Sequence, residues 1–463
     1  MKSSRDRVER HDVVIVGGGP AGAVSAMYLL RHGIRPVIIE QETFPRYHIG
    51  ESMIGETAPI LKDLGLEEEM LRRRHPVKRA GKIFGTSEQS CWYIPVAGRD
   101  ADWNLFEAST WQVRRSGFDE MMLKTARDRG AVVIPGQATK PLLGDGGAVR
   151  GVQVKLADGG FVDFQSELLL DCSGQATFLA NAGVTGPKYL GTYDKQIAIF
   201  SQVVGAIRDS GSTVGDDPNN TVLFYREKYH WCWFIPLDAE VTSIGVVIPA
   251  AYFLSRRESK RDFLVRELHA LNPELTRRLP EIKLVEDVHV IPNYSYQVRR
   301  FSGKGFICIG DAHRFIDPFF SFGMTMSMKE ARFAAPLVRA YLEGRDRDTP
   351  SPFAEHELFC ERAIDILEDT IDMLWEHPLA FAVFAQHRHR DPMTDLLAGR
   401  VHERQPSELV RVFRRMLGRE RERELVGADS CSVPVGSRFH PERATIWEAK
   451  SQVATTEAWL GPR

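Results

Sequence analysis

The sequence has no surplus of positive charge: 60 Lys and Arg stand against 62 Asp and Glu, a net charge of -2. A nucleic-acid binder needs an excess of basic groups to displace condensed counterions, which sets that class aside. No uninterrupted apolar run approaches the ~18 residues of a membrane span. The opening MKSSRDRVERHD also lacks the apolar stretch of a secretion signal. Cysteine is scarce and scattered, at positions 91, 172, 232, 308, 360 and 431, with no CxxC pair and no metal-ligand spacing. That pattern fits small buried side chains in a reducing compartment, and no metal centre is expected. The expectation is a cytoplasmic protein, with neither nucleic acid nor membrane as a partner.

What is present is ordinary in amount, with 43% hydrophobic and 26% charged residues. The order of the motifs is more informative. DVVIV (12–16) is a short buried-strand pattern, and GGGPAG follows at once. Gly17, Gly19 and Gly22 fit the GxGxxG spacing, Pro20 and Ala21 open the next helix, and a second strand, PVIIE, closes on Glu40. Gly17 permits a tight turn, Gly19 lets backbone approach a pyrophosphate, and Gly22 lets helix and strand pack closely. The helix N-terminus offers free N–H groups to phosphate, and Glu40 is placed to accept from a ribose. Strand, glycine loop, helix, strand and acid in that order predict a dinucleotide-binding unit. No second GxGxxG appears, and LADGGF (156–161) reads as a turn between strands. A protein with no second fingerprint does not hold its own hydride donor in a dedicated domain.

Far downstream, GFICIGD (305–311) is another buried strand ending in Gly310 and Asp311, with a helix from about Gly323. It resembles the second flavin signature of the glutathione-reductase-like FAD enzymes, and LLLDCSG (168–174) resembles their intermediate signature. Alone, GFICIGD also reads as a core strand with a turn acid. Five further stretches resemble the flavin-dependent halogenases of the phenol- and pyrrole-type branch. WCWFIP carries Trp231 and Trp233 in their WxWxIP pattern; FPRYHIGES (44–52) supplies Arg46 and Ser52; QVRRSGFDEMML (112–123) supplies Gln112 and Arg115. PVKRAGKIF (76–84) matches the segment of their catalytic lysine in a register that selects Lys78, and GDAHRFIDPFFSFGM (310–324) matches their halide loop.

Each of these has a plainer reading. Strand alternation puts Trp231 and Trp233 on one face, as in any half-buried hairpin, here 229–237 against 241–249. Lys78 lies in the basic run RRRHPVKRAGK and reads as a solvated lysine; Lys82 is its decoy, sharing its face if the segment is one strand. Ser321 reads as a helix N-cap. Phe322 stands where many relatives have Ser or Thr, leaving backbone N–H groups of Phe322 and Gly323, with Ser321 alongside, as the anion site. His313 replaces a residue that is small in many relatives.

The resemblance implies an FADH2-dependent halogenase. A separate flavin reductase supplies the reduced cofactor, O2 and chloride or bromide yield hypohalous acid, and Trp231 and Trp233 wall the flavin from the organic guest. Lys78 then positions the electrophile for an electron-rich phenolic or pyrrolic ring, free or tethered to a carrier protein, with Glu51 or His75 as candidate substrate bases. The same fold also serves aromatic hydroxylases and prenyl-chain reductases, and a non-catalytic FAD sensor is a further alternative. The implied fold is α/β: a Rossmann-like, glutathione-reductase-like FAD domain (10–75, 108–180, 300–345), a mostly antiparallel substrate-side sheet (76–107, 181–299) and a helical C-terminal region (346–463). The segment EHELFCERAIDILEDTIDMLWEH predicts an amphipathic helix, RRMLGRERERELVG a solvated one, and the C-terminal region is expected to close the substrate pocket.

Overall fold

The computed structural model describes residues 7–86, 90–186, 188–190, 196–292, 295–298, 300–402 and 407–419. Most of RERERELVG, Cys431 and the tail from 427 lie outside them.

Strand Arg7–Val16 runs between two parallel neighbours, Val37–Glu40 and Phe161–Asp171. Its apolar run is buried on both faces. Val13 and Ile15 join the helices Pro20–Arg31, Arg115–Asp128 and Gly323–Leu342, while Val14 and Val16 face the opposite layer. That two-sided burial is what an unbroken β-branched run specifies for a parallel sheet. Strand Val132–Leu143 begins parallel to Val37–Glu40 and then turns antiparallel to Val149–Leu156, closing a meander over the sheet. Phe306–Cys308 returns beside Leu169–Asp171 and delivers Gly310 and Asp311 to the same edge as the glycine loop.

The second sheet runs Gln196–Val204, Val241–Pro249, His230–Pro236, Thr221–Glu227, Ala80–Phe84, Cys91–Pro95. The expected hairpin forms, with Trp231 opposite Val247 and Trp233 opposite Gly245. A Cβ on Gly245 would lie 2.4 Å from the Trp233 ring, so this glycine is the space the indole occupies. One pairing departs from the antiparallel pattern: Ala80–Phe84 lies parallel to Thr221–Glu227. Alternation then sorts the faces. Trp231, Trp233 and Ile235 turn toward the C-terminal helices, and Cys232 and Phe234 turn to the opposite core.

Helix Ala354–Glu376 covers the aromatic face, followed by Pro378–Val383, Arg390–Ala398 and Glu408–Met416. It is less amphipathic toward water than its sequence suggests. Glu361, Asp365, Glu368, Asp369 and Asp372 are all buried, because Arg314, Arg414 and Arg419 come from elsewhere to meet the acids. Among the described residues no helix is long and apolar enough to cross a membrane.

Candidate active site

One cavity of about 760 Å³ runs from the glycine loop to the tryptophan wall. Its lining includes Ser52 and Asp311, the latter with Oδ1 3.8 Å from where a Cβ on Gly323 would sit, and Gly17, Gly19, Pro20, Ala21, Glu40, Arg46 and Arg115 at one end. Trp231, Trp233, Ser321, Phe322 and Gly323 line the other. Gly22, Gln112 and Lys78 do not line the cavity. Gly22 acts through packing, since a Cβ there would meet the Gly17 carbonyl oxygen at 1.9 Å.

The loop end fits a dinucleotide. Helix Pro20–Arg31 begins at Gly19 with no side chain capping its N–H groups. Glu40 accepts from the Gly18 N–H at 2.6 Å and the Glu42 N–H at 2.7 Å, holding its carboxylate at the cavity edge. Arg46 Nη1 is buried without a hydrogen-bond partner, 3.3 Å from Asp119 Oδ2. Arg115, which lines the cavity, grips the buried Asp119 with two N–H groups at 2.7 and 2.9 Å, which fixes its guanidinium in place. Burial, reinforced by the charge of Glu330, pushes the Asp311 carboxyl up to about 7. A cavity with an uncapped helix start, an arginine Nη1 that no hydrogen bond engages and a ribose-type acid fits the FAD that the sequence implies.

At the other end Trp231 and Trp233 lie 6.1 Å apart at 55°, and Trp231 meets Phe319 edge-on at 5.0 Å. Trp233 is pinned by its Nε1–H donating to Ser243 Oγ at 3.1 Å. The loop Asp317–Gly323 is held from within: Asp317 accepts from the Phe319 N–H at 2.9 Å and from Trp375 Nε1 at 3.2 Å. Ser321 is left-handed, φ 61°, and ends the short turn before it. The N-cap reading of Ser321 is therefore wrong. Phe322 occupies the N-cap position with no side-chain cap, and its ring is buried.

Lys78 is not a solvated lysine; it is 6% exposed. The segment is not one strand either. Val77–Lys78 pairs with Thr110–Trp111, and Ala80–Phe84 joins the large sheet. The two lysines end in different surroundings. Lys82 Nζ lies 3.1 Å from Asp209 and 3.0 Å from Asp216. Lys78 Nζ donates to Ser52 Oγ and to the Met53 carbonyl, both at 2.9 Å. Neither partner is charged, and burial pulls the Lys78 ammonium down to about 7.

Of the two candidate bases, Glu51 lines the cavity and burial pushes its carboxyl up to about 7. His75 does not line it. Several neighbours escaped sequence reasoning. Thr221 and Arg314 line the cavity, and so do Ile364 and Leu367 of helix Ala354–Glu376, a first contribution of the C-terminal region to the pocket. His313 gains an account: its Nε2 lies 3.1 Å from Glu330 Oε2, and its ring stacks on Phe301 at 4.1 Å. Cys360 approaches the same pair, but Glu330 Oε2 is already engaged by the Gly310 N–H at 2.6 Å, so hydrogen bonding accounts for the cluster.

Known proteins resemble the chain along most of its length. Residues 10–349 match the family model of the FAD binding domain. A 1H-pyrrole-2-carbonyl-(peptidyl-carrier protein) brominase of Pseudoalteromonas luteoviolacea is 32% identical, over 90% of this chain and 98% of its own length. A corresponding chlorinase of Pseudomonas fluorescens is 27% identical, over 88% and 93%. A solved flavin-dependent brominase superposes with a TM-score of 0.82 at 33% identity, covering 89% of this chain and 98% of its own. The chain belongs to the flavin-dependent halogenase family, and is an FAD-dependent enzyme whose inorganic substrate is halide.

Proposed function

We propose that this halogenase places bromine or chlorine on a pyrrole-2-carbonyl group presented by a carrier protein, with reduced FAD supplied by a separate flavin reductase. The observation that carries the substrate is near full-length similarity to two enzymes named for that acyl group, one a brominase and one a chlorinase.

Bound reduced FAD supplies the two electrons by which O2 becomes an oxidant of halide. The chain's own residues do the rest. The N–H groups of Phe322 and Gly323 at the start of a 20-residue helix hold the halide, since helix starts favour anions. Trp231, Trp233 and Phe319 form a dry wall that keeps water and the ring away from the oxidising end. Lys78 works as a buried acid: with its ammonium near 7, it gives up a proton at neutral pH far more readily than a solvated lysine. Glu51, on the cavity surface, takes the ring proton as the carbon–halogen bond forms.

The test supplies reduced FAD, O2 and bromide with pyrrole-2-carbonyl-carrier protein, free pyrrole-2-carboxylate and a free phenol in parallel. The expected result is a bromine isotope pattern on the carrier-bound acyl group alone. Bromination of a free substrate with the carrier-bound acyl group untouched rejects the assignment.

A further inference from the structure

Lys78 does not reach the cavity, yet Ser52 and Thr221 both line it. Ser52 Oγ lies 2.9 Å from Lys78 Nζ and 2.8 Å from Thr221 Oγ1. Thr221 Oγ1 in turn lies 2.7 Å from Gln112 Nε2. The direction of these bonds is fixed by chemistry. Gln112 Nε2 also meets the Asn219 carbonyl at 3.1 Å, and a carbonyl only accepts, so the Gln112 amide presents its NH2 side to both partners. Thr221 Oγ1 therefore receives a hydrogen from Gln112. At the far end the Lys78 ammonium has only hydrogens to give, so Ser52 Oγ receives one from it. Ser52 then donates to Thr221, and the Thr221 hydroxyl hydrogen is committed to neither partner, on a residue that lines the cavity.

We propose that Lys78 serves the reaction through a one-way hydroxyl relay, Lys78 to Ser52 to Thr221, with Gln112 setting its direction. In the relay step Lys78 Nζ passes a proton to Ser52 Oγ, Ser52 passes its own to Thr221 Oγ1, and Thr221 passes its own to the oxygen of hypohalous acid. The O–halogen bond breaks and the oxygen leaves as water. The halogen joins the ring carbon, and the proton that carbon loses goes to a base. Lys78 is left as a neutral amine; the base releases the ring proton to solvent, Lys78 takes one back from solvent, and the two hydroxyls turn to their starting directions before the next turnover. The relay rests on the reading of Lys78 as the acid. It explains how a buried amine outside the cavity acts on a reagent inside it.

Thr221→Val keeps the side chain's shape and leaves Gln112 its Asn219 acceptor, but has no hydrogen to pass on. Reduced FAD, bromide and pyrrole-2-carbonyl-carrier protein are the probes. Thr221→Val is expected to lose about a hundredfold in bromination while flavin oxidation continues. Thr221→Ser is expected to restore most of the rate and the solvent deuterium isotope effect that Thr221→Val loses. Independently of turnover, the pH titration of the Lys78 side-chain NMR signal, assigned by its loss in Lys78→Met, is expected to be the same in Thr221→Val as in the natural protein. No charged side chain contributes to the ionisation of Lys78, so only displacement of its partners alters that titration. Should Thr221→Val not fold, Thr221→Ala takes its place. Full bromination by the hydroxyl-free variant, with Lys78→Met inactive, overturns the relay and leaves the lysine reading standing. An altered titration of Lys78 also overturns it, in favour of a structural role. An active Lys78→Met overturns both.

Discussion

Lys78 and Lys82 sit four positions apart, and both are at least nine-tenths buried. Their surroundings are opposite. Lys82 lies between Asp209 and Asp216, with Arg278 2.6 Å from Asp209 completing a charged network that holds its ammonium above the ordinary range despite burial. Lys78 has a hydroxyl and a carbonyl, and its ammonium is pulled down to about 7. Burial alone does not make a lysine an acid at neutral pH. Burial without a carboxylate does.

The largest effect that tests this contrast is on turnover. Lys78→Met is expected to lower bromination by about 10²–10⁴-fold while flavin oxidation continues. Lys82→Met keeps bromination per folded molecule, so equal losses from the two variants erase the distinction.

The next effect is on stability against pH. The Lys78 ammonium is at about 7 in the folded protein and near ~10.4 unfolded, so the unfolded state binds more protons between these values. The penalty is fully present below about 7, and stability rises with pH from there to ~10.4. Lys78→Met removes that rise, on the order of 4 kcal/mol, and urea unfolding of both proteins across this range measures it. Lys82 carries the opposite sign: its raised value contributes stability below ~10.4 that is lost as pH rises through the folded value.

Smaller still, Lys82→Met is expected to cost about 1–3 kcal/mol in urea unfolding, because Asp209 keeps Arg278 but Asp216 loses its cation. Last, Ser52→Asp gives Lys78 the kind of partner Lys82 has. The midpoint of the Lys78 side-chain NMR titration is expected to move up by at least about one unit. An unmoved midpoint breaks the explanation by missing countercharge.

The halves of the site differ in how far sequence reveals them. The glycine loop is legible because its parts lie within some thirty residues and each answers a local demand: a turn, a close approach, a helix start. The Trp231–Trp233 face is legible because strand alternation is local too. The environment of a lysine is not. Lys82 is neutralised by acids 127 and 134 positions away. Thr221 reaches Ser52 across 169. No spacing rule announces such partners. The buried acids of helix Ala354–Glu376 escaped for the same reason, since their arginines come from other elements. Ser321 was misread on its own residue type, which suits an N-cap, while its left-handed backbone puts it one step too early.

The parallel pairing of Ala80–Phe84 with Thr221–Glu227 sets a timetable for a chain made from its N-terminus. Gly81 must wait for Thr221, and at ~5–20 residues per second the wait is roughly ten seconds. Until then the hairpin of Ala80–Phe84 and Cys91–Pro95 leaves one edge of its backbone open on the ribosome, a natural place for a chaperone to hold. The contact of Ser52 with Thr221 likewise cannot form before Thr221 has been made.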